Sequence, residues 1–366
     1  MKVNISRAEL VKLIGKIQSI IPAKPTLPIL ANVLVEAYDN QLIITATDLV
    51  VSMRTQMGAT ISEEGGITLP ARRFFQLIRE INTSQIEIEC LLGDIALIRA
   101  GSSEFRLNGI HKSVYPALPD LSHAEHFKIS GPVLKEMLTN SVFAAAREDS
   151  RQIFNGVLMQ VHNSQVTFTG ADGKRIAKIY AEIETKFEHK HNYLIPIKGI
   201  EEIIKLIEDE EFTISLNPDK IALQSDSTIL ITQLLTGDYP EVDKIIPTHP
   251  EITVSLHREE LMALLKQVSL FLPEKGNSIR FIFTAGELML EASSSEIGEG
   301  KVSMPIDYSG SPLEIAFNPY FFYDMLRHSK DETIFFSLTN SHLPGLMKDS
   351  STALYVIMPM RLKSIE

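Results

Sequence analysis

The sequence predicts an α+β fold repeated three times in tandem, each copy packing two helices on antiparallel sheets, and three observations predict it. One helix pattern recurs with apolar residues at i, i+3, i+4, i+7 and i+11: Leu10, Leu13, Ile14, Ile17 and Ile21, then Leu261, Leu264, Leu265, Val268 and Leu272, and more weakly Leu134, Met137, Leu138, Ser141 and Ala145. That spacing lays a single apolar stripe along a helix. A shorter helix pattern starts four residues after Pro70, Pro196 or Asn318, as Phe74, Leu77, Ile78, Ile81, as Ile200, Ile203, Ile204, Ile207, and as Phe322, Met325, Leu326, Ser329. Both patterns share one period of about 125 residues, the size of a domain and too long for a solenoid unit of about 20 to 50 residues.

Within each copy the elements follow in one order. A short strand and a capped helix open it, at 3–5 before Ser6, 127–129 before Ser130 and 252–256 before His257. A serine at the N-cap offers its oxygen to a free N–H of the first turn, and Pro132 is tolerated inside that turn. Strands such as 42–46 and 166–169 come next, and an alternating strand leads into the second helix at Ile67 and Leu69, at Leu194 and Pro196, and at Ile315 and Phe317. β-Branched strands close the copy, at 86–90 with 94–98 and at 212–216 with 220–223. Asp94-Ile95-Ala96-Leu97 and Lys220-Ile221-Ala222-Leu223 then supply a third marker of the period. Each copy should therefore hold two helices and about eight short strands. Loops punctuated by Tyr115-Pro116 with Pro119 and by Tyr239-Pro240 with Pro247 set the domains at 1–121, 122–247 and 248–366. The apolar end, from Tyr355 to Leu362, should pack into a sheet.

With 366 residues, each copy has enough chain for its own core. At 44% hydrophobic and 22% charged residues the composition is that of an ordinary globular protein. No stretch of about 18 apolar residues and no signal-like N-terminus is present, so the protein is expected in the cytoplasm, away from membranes. Cys90, the single cysteine, excludes an internal disulfide and reads as a small core residue in a strand. A net charge of -11 argues against a protein that coats nucleic acid by electrostatics alone. The six helix segments nonetheless carry a small net positive charge, so the acidity lies in strands and loops.

Catalytic signatures are largely absent: there is no GxSxG, HExxH or GxGxxG, and Gly173-Lys174 lacks the spacing of a phosphate-binding loop. His123 with His126 and His189 with His191 have no third ligand nearby and read as solvated loop residues. Asp48 and Asp172 occupy corresponding turns, where an aspartate commonly bonds its own backbone. The positive signals concern surfaces. Arg72 and Arg73 open a second helix, Lys24 lies in a proline-rich loop, and Arg147 with Arg151 ends a first helix; such cations are either solvated helix faces or phosphate contacts that position a duplex without reading bases.

Pro25-Thr26-Leu27-Pro28-Ile29-Leu30, Thr47-Asp48-Leu49, Pro70-Ala71-Arg72 with Phe74-Phe75, Asn155-Gly156, Ala171-Asp172-Gly173-Lys174-Arg175, Tyr239-Pro240 and the terminal Tyr355-Val356-Ile357-Met358-Pro359-Met360-Arg361-Leu362 together resemble the β subunit of bacterial DNA polymerase III, the sliding clamp. The motifs run almost the whole length of the chain. The resemblance implies three DNA-clamp domains, a head-to-tail homodimeric ring encircling double-stranded DNA, and a non-catalytic role in processivity that requires no cofactor or metal. It implies as partners the polymerase III catalytic subunit, the clamp-loader complex, and other polymerases and repair proteins that carry a clamp-binding peptide. By resemblance the peptide pocket comprises Arg151, Phe154, Gly173, Lys174, Arg175, Ile176, Pro240, Lys244, Ile245, Asn318, Phe321, Val356, Met358, Pro359, Met360, Arg361 and Leu362, an apolar site rimmed by a few arginines. Phe154, Lys174, Ile176, Lys244 and Phe321 differ from the family's common residues. Lys24, Arg72, Arg147 and Lys198 would touch DNA, and Arg73, Phe105 and Leu107 would meet Leu270 and Phe271 at the dimer contact. From the residues alone two other classes stay open: an enzyme whose carboxylates, Asp48 or Asp172 with a neighbouring Glu, converge in the fold, and a monomeric peptide-binding adaptor.

Overall fold

A computed structural model describes residues 1–122, 124–273 and 278–361. His123, Leu362 and the tail 363–366, all raised by the sequence, lie outside the described residues. The first copy contains β1 (Lys2–Ser6), α1 (Arg7–Ile17), β2 (Asn32–Tyr38), β3 (Gln41–Thr47), β4 (Val51–Gly58), β5 (Thr60–Glu63), β6 (Gly65–Pro70), α2 (Ala71–Glu80), β7 (Gln85–Leu91), β8 (Ile95–Ala100) and β9 (Ser103–Asn108). The second contains β10 (Glu125–Ser130), α3 (Gly131–Val142), β11 (Gly156–Ala171), β12 (Arg175–Pro196), α4 (Ile197–Leu206), β13 (Glu211–Leu216), β14 (Lys220–Gln224) and β15 (Thr228–Gln233). The third contains β16 (Ile252–His257), α5 (Arg258–Val268), β17 (Ile279–Thr284), β18 (Glu287–Ser294), β19 (Gly298–Pro305), β20 (Leu313–Phe317), α6 (Pro319–His328), β21 (Thr333–Leu338), β22 (Gly345–Lys348) and β23 (Ala353–Ile357).

The apolar stripes are buried as their period requires. Leu10, Leu13, Ile14 and Ile17 of α1, Leu261, Leu265 and Val268 of α5, and Phe322, Met325 and Leu326 of α6 all lie in the core. The i+11 position falls beyond the helix each time, because α1 and α5 tighten into 3-10 turns at Gln18–Ile20 and Ser269–Phe271 and α3 stops at Val142. Ser6 stands at the N-cap but its side chain makes no capping bond. The Arg7 amide instead donates to the Ser84 carbonyl, so a chain segment satisfies the orphan donor that a side chain was expected to take. At the other starts, the His257 ring accepts from Glu260 N–H and the Asn318 side chain from Tyr320 N–H. Cys90 lies in β7 as expected but is only half-buried at the strand's end, and burial pushes its thiol pKa up.

Strand order explains both the triplication and the way copies join. The same two half-sheets recur: β7-β8-β9, β13-β14-β15 and β21-β22-β23 flanked by β1, β10 and β16, and β4-β3-β2-β6 against β19-β18-β17-β20. In the middle copy the second half-sheet is made by β11 and β12, of 16 and 22 residues, each two repeat strands run together with register shifts near Asn163. Long strands therefore replace the short ones expected there. One marker is corrected by the register. Cys90 pairs with Ala96 and Leu216 with Ile221, so Ala96 corresponds to Ile221 and the two Ile-Ala-Leu strings are one residue out of step. A one-residue slip exchanges the faces of a strand, and the longer turn after Leu91 absorbs it.

Contacts divide the chain into two compact units, one of Met1–Lys135 with Lys198–Leu235, the other of Glu136–Ile197 with the chain from Thr236 on. In the first, β4 pairs with β15 in an eight-stranded sheet; in the second, β12 pairs with β23 in a six-stranded sheet. Each unit thus holds one copy-to-copy joint made by the same strand pair.

Helix and sheet approach closely at Gly170, where an added Cβ would come 2.0 Å from the Ser141 carbonyl oxygen at the end of α3. Ser141 is fully buried and its hydroxyl already donates to Met137 O at 2.8 Å. Replacing Gly170 by alanine should therefore cost about 1 to 3 kcal/mol through overpacking. Urea unfolding of the variant should show that loss, whereas Gly93→Ala, in open space but at φ +82, should pay only its backbone strain.

Candidate functional site

The second joint is built around a tight turn. Asp172 Oδ1 accepts from Lys174 N at 2.9 Å and from Arg175 N at 3.0 Å. Gly173 between them has φ +81, a left-handed conformation that glycine adopts without a Cβ penalty. The chain end is fastened to this turn, because Met358 N donates to Lys174 O at 2.9 Å, and farther along Met360 N donates to Ala316 O at 2.7 Å. Beside the turn Phe154, Ala171, Ile176, Val242, Leu346 and Val356 form one buried cluster, with Ile153, Tyr239 and Ile246 packed against it. The Tyr239 hydroxyl donates to Thr169 O at 3.4 Å, and burial raises its pKa.

Arg175 lies under this cluster and not on its rim. It is 9% exposed, with Nε on Asp172 at 3.1 Å, Nη1 on Asp324 at 2.6 Å and Nη2 on the Phe143 carbonyl at 2.9 Å. Its guanidinium stacks 4.4 Å from the Phe321 ring centre. Its donors are committed inside the protein, so it fixes β12 to α6 and leaves rim chemistry to others. Those are Arg151, over the Phe154 ring at 4.3 Å, with Lys174 and Arg361, all exposed. Lys244 is exposed and paired with Glu241, Ile245 is exposed, and Pro240 and Pro359 are half-buried. Met358 and Met360 are each 38% exposed and give the surface an adaptable thioether edge. Asn318 caps α6 next to Phe321.

Of the residues expected in the pocket, Phe154, Ile176 and Val356 meet directly, and Arg151, Gly173, Arg175, Phe321 and Met358 join through the contacts above. Ala171, Val242, Leu346, Phe143 and Asp324 take part without having been singled out. Ala171 was findable from the repeat, since it pairs with Ile176 as Thr47 pairs with Ser52 in the first copy. Asp324 was not, because only the fold brings it to Arg175.

The first joint repeats this framework with different chemistry. Asp48 Oδ1 accepts from Val50 N and Val51 N, Leu49 has φ +76, and Gln233 N donates to Val50 O at 2.9 Å. Here Thr47 and Ser52 replace Ala171 and Ile176, and their hydroxyls bond each other at 2.7 Å. The apolar floor therefore belongs to the second joint.

The other predicted residues are scattered over both units. Lys24, Arg72 and Arg147 are exposed; Arg72 donates to Ala23 O at 3.3 Å. Lys198 is paired with Asp48. Arg147 and Arg151 lie past the end of α3, which stops at Val142, so neither ends that helix. Arg73 is exposed on α2, Phe105 and Leu107 lie on the edge strand β9, and Leu270 is 74% exposed beside Phe271 in the turn after α5. Among the described residues no three His, Cys, Asp or Glu side chains converge as a metal site, and no helix is long and apolar enough to cross a membrane.

Fold and joints together define a triplicated clamp-type protein whose copies share sheets. Family models agree along the chain: DNA polymerase III beta subunit N-terminal domain at 1–119, central domain at 128–241 and C-terminal domain at 243–361. The beta sliding clamp of Chlamydia pneumoniae is 48% identical over 363 residues, covering 99% of both chains. That of Escherichia coli is 27% identical over 368 residues, covering 99% of this chain and all of that one. The crystal structure of the Bacillus subtilis DNA polymerase sliding clamp matches with a TM-score of 0.95 at 26% identity, covering 99% and 100% of the two chains. A Pseudomonas aeruginosa clamp bound to griselimycin matches at 0.94 and 27% identity, over the same shares. The chain belongs to the DNA polymerase III beta subunit family, the sliding clamps of DNA replication.

The arginine at the rim generates a pH prediction. Hydrogen bonds from the Arg151 guanidinium, at 2.9 and 3.0 Å, and from its N–H hold the Asp149 carboxyl down at about 2. A depressed carboxyl contributes stability that is complete above the ordinary aspartate value of about 3.9 and is lost as pH falls through the lowered one. Carboxyl NMR should find Asp149 titrating near pH 2, and Arg151→Ala should return it toward the ordinary value.

Proposed function

We propose that two copies of the chain pair head to tail into a closed ring around duplex DNA and hold the replicative polymerase on its template. The observation that carries this reading is that, among the open sheet edges, two match the strands that pair at the internal joints. At the first joint β4 meets β15, and at the second the corresponding part of β12 meets β23. By the same strand order β19 of the third copy and β9 of the first are the matching pair, and each stands at the edge of its sheet. Pairing β9 of one chain with β19 of another, twice, uses both edges and closes the assembly. Open strand edges are otherwise liabilities. Arg73, Phe105, Leu107, Leu270 and Phe271 fall at this contact.

Enclosure explains how a chain of net charge -11 works on DNA, because retention does not depend on affinity. Lys24, Arg72, Arg147 and Lys198 then supply loose phosphate contacts compatible with sliding. The apolar cluster at the second joint, with Met358, Pro359 and Met360 at its edge, receives a short peptide ending in Leu or Phe. It would be carried by the polymerase III catalytic subunit, the clamp loader, and other polymerases and repair proteins. We place the domain boundaries near 122 and 248 and the protein in the cytoplasm. The ring catalyses nothing on this reading. Asp48 and Asp172, the carboxylates an enzyme would need, each accept two backbone N–H bonds within their own turns, which favours a structural role.

Native mass spectrometry should return twice the 40.9 kDa of the chain. Leu270→Asp, which would place a charge at the apolar contact, should yield the monomer with unchanged thermal unfolding of the isolated chain. A wild-type monomer would leave the peptide-binding adaptor as the reading to pursue.

A further inference from the structure

Resting on the head-to-tail reading, the two internal joints fix the register of the contact between chains. At the first joint Leu230 stands opposite Met53, and at the second Tyr355 stands opposite Ala177. These pairs are equivalent. Following hydrogen-bonded partners inward from Leu230 and Tyr355 leads through Leu223 and Met347 to Ile214 and Phe336. The same path in the first copy runs from Phe105 through Ile98 to Ile88. On the other side, Met53 pairs with Ala46 and Ala177 with Gly170, and in the third copy Gly300 pairs with Ala292. Phe105 of one chain therefore belongs opposite Gly300 of the other.

Two independent features of the edges agree with that register. Gly300 has its Cβ space filled by the Phe271 ring, 2.3 Å from where a Cβ would stand, so it presents backbone and an aromatic face to an incoming Phe105. The neighbouring positions then fall as opposite charges: Glu104 opposite Lys301 and Arg106 opposite Glu299. At the internal joints the residues equivalent to Arg106 and Glu299 are Ile231 with Ser52 and Val356 with Ile176, none of them charged. The charges at the edges also finish rows already present. In the first copy Glu87, Arg99 and Glu104 stand on adjacent strands, with Arg99 on Glu87 at 2.5 Å and on Glu104 at 3.5 Å. In the third, Lys301 reaches Glu291 at 3.2 Å and Arg280 lies 3.6 Å from the same carboxylate.

We propose that this alternating row of charges runs unbroken across the contact between chains, with Glu104 of one chain paired to Lys301 of the other and Arg106 to Glu299. It sets the register of closure and makes it sensitive to salt, whereas the internal joints, where Ile229 faces Arg54 and Leu354 faces Lys178, hold no directly opposed pair of charges. Directly opposed like charges across a strand pair are destabilising, and both contacts must break together for the chains to separate, so each reversal counts twice.

Arg106 and Glu299, 69% and 50% exposed in the free chain, can be reversed without disturbing a core. Arg106→Glu alone places Glu opposite Glu299 at both contacts, and Glu299→Arg alone places Arg opposite Arg106. Mixed together, the two variants form a heterodimer in which both contacts regain opposite charges. Fluorescence-detected sedimentation at low salt should show each variant alone with a dimer dissociation constant raised at least tenfold. The equimolar mixture should return to within about threefold of wild type, and the difference should shrink at high salt. Thermal unfolding of the monomeric variants should match wild type. Variants that dimerise like wild type would overturn the proposal, and so would weakened variants that the mixture does not restore, because the register would be wrong. A wild-type chain that stays monomeric would instead take down the ring reading and this proposal with it.

Discussion

Edge-to-edge pairing of strands governs this molecule. A half-sheet of four strands cannot leave its outer N–H and C=O groups unpaired without inviting some other edge. The chain meets that requirement between successive copies by running the last strand of one half-sheet against the fourth strand of its neighbour, at β4 with β15 and at β12 with β23. This is why the compact units do not coincide with the sequence repeats: hydrogen bonding crosses each repeat boundary and divides the middle copy between its neighbours. The helices follow, since each apolar stripe must cover the sheet face that the pairing creates. Three copies in a row leave one edge of each kind unused, and that surplus gives the strongest physical argument for a second chain.

The two internal joints show how one framework acquires different chemistry. Aspartate turns, a left-handed residue after the aspartate and an amide from the final strand recur in both. A pair of hydroxyls at Thr47 and Ser52 becomes an alanine and an isoleucine at Ala171 and Ile176, and a polar floor becomes a hydrocarbon one. Burying an apolar side chain against hydrocarbon is favoured by roughly 25 cal/mol per Å² removed from water. Arg175 supports that floor from beneath, clamped by Asp172 and Asp324, and the exposed residues above it are methionines and long cations. The chemical difference between the joints thus lies at two positions in a shared strand pair.

Much of this was legible in the sequence, for reasons that particular residues make clear. Helix stripes at Leu10, Leu134 and Leu261 have a period set by α-helical geometry, so their triplication survives sequence drift. The paired Asp48 and Asp172 turns were visible because aspartate and a left-handed neighbour are local requirements. What depends on pairing between distant strands was harder to see. The Ile-Ala-Leu strings at 95 and 221 look identical, yet a turn one residue longer puts them out of register. The fused strands β11 and β12 were read as short ones because nothing local marks a strand that continues through an irregularity. Arg175 was placed at the rim because its burial is decided by Asp324, 149 residues away.

Closure around DNA is what the head-to-tail ring has to accomplish. The most direct measurement loads the protein with a clamp loader and ATP onto nicked circular DNA, raises the salt to suppress phosphate contacts, and then linearises the circle. A closed ring should stay on the circle at high salt and leave once an end is cut, because only topology holds it. Equal retention before and after linearisation would contradict it, since the protein would then be held by direct binding.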